Sequence, residues 1–188
     1  MNPGVLSEIV AQYYELFPEE KAGLKRLLDQ LQAGDKMNDR RNFTGHITGS
    51  AIVLSPDKTQ VLLIHHKLFQ RWQQPGGHWE SDDEADPLVA SRREAQEETG
   101  VELAEFRPLD PNWPVLPLDI DSHNVPARPV KAEPAHVHHD WRYAFIAQNT
   151  ELKHQEEEVS AAAWFALDAP ETQVIQRPIA KLRKLGLV

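Results

Sequence analysis

At 188 residues the chain is long enough to bury one full core, and nothing in its composition demands a second. A formal charge of −9 disfavours nonspecific nucleic-acid binding, which rests on cationic contacts to phosphates, yet a small phosphorylated substrate stays admissible if a bound cation supplies the positive charge. The absence of cysteine excludes disulfides, thiolate catalysis and cysteine-ligated zinc; the first residues do not read as a signal peptide and no apolar run spans a bilayer, so a cytoplasmic protein without membrane partners is expected.

Taken in chain order, Leu6, Ile9, Val10, Tyr13 and Phe17 recur at helical spacing until Pro18 interrupts them. Leu24, Leu27, Leu28 and Leu31 form a second run ending near Gly34. Residues 1–41 are therefore expected to be a helical segment packed on a main domain of residues 42–188, a dimerisation arm (hence a homodimer) or a substrate lid being the other readings. From residue 46 the pattern becomes one of strands. Residues 47–54 and 61–66 flank the turn sequence Ser55-Pro56-Asp57-Lys58, which predicts a hairpin. Pro75-Gly76-Gly77 gives a tight bend whose backbone can approach a ligand closely. Asp86 suits a helix N-cap, Pro87 the first helical position and Gly100 the left-handed residue that ends it. A strand is expected at 101–106, then a Pro-rich irregular stretch at 108–134 broken by residues 116–124, strands at 136–147 and 162–167, and a helix near 173–185.

The helix after Asp86 bears the chemistry. At 100° per residue, Glu94, Glu97 and Glu98 fall within an arc of roughly 100°. Three carboxylates on one turn repel each other unless a cation sits among them, and hard oxygen ligands suit Mg²⁺ or Mn²⁺. Taken alone, they would be a solvated acidic face. Arg93, four residues before Glu97, can hold a carboxylate in place, and the small Ala90 leaves the approach to the acidic patch open.

Together, Pro75-Gly76-Gly77 and Arg93-Glu94-Ala95-Gln96-Glu97-Glu98-Thr99-Gly100-Val101 resemble the Nudix box, the signature of the Nudix hydrolases. The second half matches at every signature position. The first half is two residues longer than usual, so Asp83 or Glu84 must stand in for the middle glutamate. The resemblance covers roughly residues 44–185 and implies an α/β fold with a mixed β-sheet sandwiched between helices, to which the N-terminal helical segment is an addition. It also implies a hydrolase that cleaves a diphosphate linkage in a nucleoside diphosphate joined to another group. Glu94, Glu97 and Glu98 would hold the metal with the Gly77 carbonyl, and Arg93 would orient them. The family often carries a distal glutamate just before an aromatic-bearing strand, which points to Glu158 in Glu156-Glu157-Glu158, with Glu157 as its nearest substitute; read without the family, this run is a solvated loop. Whether a box glutamate or Glu158 is the general base stays open. Trp164 and Phe165 read as core.

His46, His78, His136 and His138 remain. Strand alternation puts His136, His138, Asp140 and Arg142 on one face, either a hydrogen-bonded polar surface or a substrate-phosphate or second-metal site. Arg128 and Lys131 could reach substrate phosphates. Isopentenyl-diphosphate isomerases share the fold and bind metal through histidines placed like His46 and His78, but they use a cysteine and have an incomplete box, unlike this chain. A Nudix-fold sensor that binds a nucleotide without cleaving it would be expected to have lost box carboxylates, and all three are kept here. No motif specifies the substrate.

Overall fold

The computed structural model describes residues 1–79, 86–106, 109–110, 112–129 and 132–188. Two helices come first, α1 (Pro3–Leu16) and α2 (Lys25–Ala33). The Asn2 side chain accepts from the Val5 amide to start α1, and Gly34, at φ 76°, ends α2. Strands β1 (His46–Leu54), β2 (Gln60–His66), β3 (Arg71–Gln73) and β4 (Gly76–His78) lead to helix α3 (Pro87–Thr99). Then come β5 (Leu103–Phe106), β6 (Asp119–Val125), β7 (His136–Ala147), β8 (Val159–Ala166) and, after a 3₁₀ turn at Pro170–Ile175, helix α4 (Gln176–Lys184).

Strands β1 and β7 are the axis of the sheet, running parallel in register from His46↔His138 to Leu54↔Ile146. All other pairings are antiparallel. β4 lies along the start of β1 and β2 meets its end; β2 in turn carries β3 and β8. On the far edge of β7, β6 covers the first half and β5 the second. The sheet is mixed, as the resemblance implies, and helices cover it on both sides. One buried cluster joins Leu6, Tyr13 and Leu27 of the first two helices to Ala90 and Ala95 of α3 and to Ile47, Ala51, Tyr143 and Phe145 of the sheet. The other packs Ile52, Leu63 and Ala144 against Ile175, Ile179 and Leu182. The first two helices thus lie on the face that bears α3, and none of the described helices is long and apolar enough to cross a membrane.

One local expectation is corrected and another gains detail. Ala90 does not keep an approach open: it is fully buried against Gly49, where a Cβ would lie 2.5 Å from the Pro87 carbonyl oxygen and 3.2 Å from the Ala90 Cβ. Small residues on both sides let α3 close on β1. The stretch around 116–124 is largely strand, because β6 is held by charge. Asp119, fully buried, accepts from Arg142 at 3.0 Å, Arg177 at 2.8 Å and Lys181 at 2.6 Å. Lys181 also pairs with Glu20 at 2.7 Å and donates to the Tyr13 hydroxyl, which accepts from the Ile120 amide and donates to Glu20. These cations hold the Asp119 carboxyl below its usual range despite burial that pushes it up.

Candidate active site

The N-cap, proline and glycine signals place α3 as read: the Asp86 side chain accepts from the Val89 amide, Pro87 opens the helix, and Gly100 closes it at φ 66°. β4 then brings a glycine backbone against the helix. A Cβ on Gly77 would lie 2.5 Å from Glu94 Cδ and 2.8 Å from Glu94 Oε2, so this carboxylate rests on the bare backbone of Gly77. The neighbouring Gly76 amide donates to Glu98 Oε2 at 2.9 Å.

The three box carboxylates are not equivalent. Glu94 and Glu98 point inward, with Glu98 only 5% exposed, whereas the Glu97 side chain is 54% exposed. Arg93 organises them: Nη1 donates to Glu94 Oε1 at 2.9 Å and to Glu97 Oε2 at 3.0 Å, while Nη2 donates to the His78 carbonyl at 3.0 Å. Burial pushes the Glu94 carboxyl up to about 7, against the pull of Arg93 and with the charges of Glu97 and Glu158 adding to the rise. Burial also pushes Glu98 up to about 8, only partly offset by the Gly76 amide and reinforced by Glu94 and Glu158. Glu158 itself is exposed, just before β8, and its backbone carbonyl accepts from the Lys67 amide at 2.9 Å. The Glu156 carbonyl accepts from the Lys67 ammonium.

This donor set fits a hard divalent cation. Glu94 and Glu98 are both desolvated, the first held by the Arg93 guanidinium and the second by the Gly76 amide, and an ion there would offset the burial that raises both. Such an ion would meet Glu94 and Glu98 first; Glu97 would have to swing in from its pair with Arg93.

The four histidines singled out by sequence converge. His46 opposes His138 across the β1–β7 pairing, and His78 lies beside Thr48 on β4. Ring centroids of His46 lie 5.3 Å from His78, 5.1 Å from His136 and 4.8 Å from His138, and His78 is 5.3 Å from His138. A fifth ring, His123 on β6, lies 5.8 Å from His138. Among the described residues, the one trio of metal-ligating atoms within 4.8 Å of one another belongs to His46, His136 and His138. Burial and the neighbouring imidazoles depress His138 to about 2; burial and Arg40 depress His78 to about 4; burial lowers His46. A protonated, phosphate-binding cluster is disfavoured by these shifts. His139 lies on the opposite face, satisfied by Ser122 Oγ at 2.7 Å and Gln30 Oε1 at 2.9 Å. Asp140 and Arg142 do share the His138 face, and they pair at 2.8 Å while Asp140 also accepts from Ser50 at 2.7 Å.

Arg128 pairs with Glu133 at 3.0 Å, which Arg40 also meets at 3.4 Å. Trp164 and Phe165 are half-buried against the two core clusters. Asp83, Glu84 and Lys131 lie outside the described residues. His123 escaped the sequence reading because β6 was not read as a strand; pairing it with β7 would have set His123 opposite His138.

The family model described as the NUDIX domain matches residues 45–183. A protein of Lactococcus lactis subsp. cremoris (strain MG1363), named a probable DHNTP pyrophosphohydrolase, is 26% identical over 166 residues, which covers 87% of this chain and 90% of that one. Among solved structures, a hydrolase of the NUDIX family from Clostridium perfringens superposes with a TM-score of 0.55 at 22% identity, covering 76% of this chain and 97% of its own. A NUDIX hydrolase from Nitrosomonas europaea gives 0.50 at 16% identity, covering 73% and 88%. At those identities the likeness is one of fold.

Proposed function

The chain belongs to the Nudix hydrolase family, and we propose on that footing that it is a Mg²⁺- or Mn²⁺-dependent hydrolase that cleaves a diphosphate linkage in a nucleoside diphosphate joined to another group. The observation that supports this most is the pair of buried, mutually repelling carboxylates, Glu94 and Glu98, pressed on the Gly76–Gly77 backbone. Glu94, Glu97 and Glu98, with the Gly77 carbonyl, would hold the ion. When bound, it supplies positive charge to the bridging phosphates and polarises phosphorus. Arg93 fixes the carboxylates by spanning Glu94, Glu97 and the His78 carbonyl. Attack of water breaks the bond from phosphorus to the bridging oxygen; the proton released by water passes to a carboxylate, either a box glutamate or Glu158, whose charge is felt at both Glu94 and Glu98.

The test is a panel of nucleoside triphosphates, dinucleoside polyphosphates, nucleotide sugars and prenyl diphosphates, with DHNTP added because the Lactococcus relative bears that name. Each is incubated with Mg²⁺ and with Mn²⁺ and its products resolved. Cleavage at a diphosphate linkage, lost on chelation, is the expected result. Tight nucleotide binding with no turnover of any class would overturn the reading in favour of a sensor.

A further inference from the structure

The imidazole cluster on the other side of β4 from the carboxylates is unused by that chemistry, and its proton arrangement is informative. His46 Nδ1 lies 3.2 Å from the Asn42 carbonyl and His136 Nδ1 2.8 Å from the Pro134 carbonyl. A carbonyl oxygen only accepts, so both Nδ1 atoms carry a proton, and in the neutral tautomer this fixes, each ring presents a bare Nε2 lone pair. Backbone carbonyls orient metal-ligating histidines in this way. A phosphate site would need the opposite, N–H groups facing the ligand. His46 Nε2 has no hydrogen-bond partner although the residue is only 1% exposed. His136 Nε2 faces His138 Nε2 at 3.1 Å, so a single proton lies between two nitrogens. An ion replacing this proton, with His138 shifting to the Nδ1–H tautomer, would meet three lone pairs.

We propose that His46, His136 and His138, completed by His78, form a binding site for one divalent transition ion of the Zn²⁺, Co²⁺ or Ni²⁺ type, separate from the hard-cation site on α3. Imidazole suits these ions, whereas Mg²⁺ and Ca²⁺ prefer oxygen. A metal–nitrogen distance of about 2.0–2.1 Å in a tetrahedral site sets neighbouring nitrogens about 3.3 Å apart, close to the 3.1 Å already present between His136 and His138. The remaining ligand atom lies within the 4.8 Å limit of the trio, which small ring rotations close. Three strands, β1, β4 and β7, supply the rings, so their positions are set by sheet register instead of a loop. The cations that face the cluster, Arg40 and Arg128, are both paired with Glu133.

The test uses the full chain stripped with a chelator and held in excess Mg²⁺, so that the carboxylates are occupied. Titrated Co²⁺ should bind at one ion per chain by elemental analysis, with visible ligand-field bands of nitrogen coordination. His46→Gln and His138→Gln should each weaken this binding at least tenfold. In the unsubstituted chain, which removes any doubt about folding of the variants, added Zn²⁺ should shift the ¹⁵N resonances of the His46, His136 and His138 Nε2 atoms and leave those of His65 and His154 in place. Unmoved Nε2 resonances in the cluster, or Co²⁺ uptake that folded variants do not weaken, would overturn the proposal.

Discussion

Gly77→Ala separates the role of Glu94 in catalysis from its role in the fold. The new methyl would fall 2.5 Å from Glu94 Cδ and 2.8 Å from Oε2, where real contacts do not go below 3.0 Å, so the carboxylate must withdraw by about half an ångström or more. What it meets is the far end of a flexible side chain and no positive φ is involved, so the fold should persist with a melting temperature within about 2 °C of the parent. Misplacement of a reacting group by about 1 Å costs about 100-fold, and half of that displacement about tenfold. We expect Gly77→Ala to lower kcat/KM about tenfold or more and to weaken Mg²⁺ binding, measured by steady-state kinetics on the best panel substrate and by calorimetric titration. Gly49→Ala is the control of opposite kind: its methyl would strike the Pro87 carbonyl at 2.5 Å and the Ser91 amide nitrogen at 2.9 Å, backbone that cannot yield, so it should destabilise by about 1–3 kcal/mol. A folded Gly77→Ala with parental kinetics and Mg²⁺ affinity would refute the placement of Glu94 at the reacting centre.

Glu97→Gln and Glu98→Gln should each lower turnover at least tenfold at saturating Mg²⁺ while the fold persists; parental rates in both would remove the metal assignment. Glu158→Gln should depress activity far more than Glu156→Gln, since the Glu158 charge acts on Glu94 and Glu98; equal small losses would make the run a solvated loop. The raised carboxyls of Glu94 and Glu98 contribute stability when protonated, fully present below about 4.5 and lost as pH rises through about 7 and 8. The depressed histidines act in the opposite sense, their contribution growing with pH but complete by their ordinary value of 6.5, so between about pH 7 and 8.5 the metal-free chain should lose melting temperature and Mg²⁺ should cancel the loss; a flat metal-free profile by calorimetry refutes this. Asp119→Asn should cost about 3–5 kcal/mol in chemical denaturation, because Lys181, Arg142 and Arg177 lose the charge that compensates them; a loss below 1 kcal/mol would show the network to be dispensable.

Local chemistry made much of this legible. The caps of α3 are set by Asp86, Pro87 and Gly100 within one turn of each end, and the carboxylate spacing on that helix is a matter of 3.6-residue periodicity. What spacing could not tell was which carboxylates are buried: Glu97 turns out to Arg93 because the sheet lies under Glu94 and Glu98. Alternation within β7 put His136 and His138 on one face, but bringing His46 opposite His138 depends on a parallel register that no local residue declares. β6 was hidden for a different reason. Asp119, Asp121 and His123 replace apolar residues along it, and the groups that make these tolerable, Arg142, Arg177 and Lys181, are distant in sequence.

That same cluster around Asp119 bears on how the domain is built in time. Tyr13 in the first helix and Lys181 in the last are 168 residues apart and share one hydrogen bond, with Glu20 and Asp119 completing the knot. On a ribosome, α1 emerges long before α4 exists, so Tyr13 and the nearby Glu20 wait for their cation until α4 has been synthesised. Contacts of such sequence separation form late and close the largest loops. Deleting α4 should therefore loosen α1, at the opposite end of the chain, as much as the nearby strands.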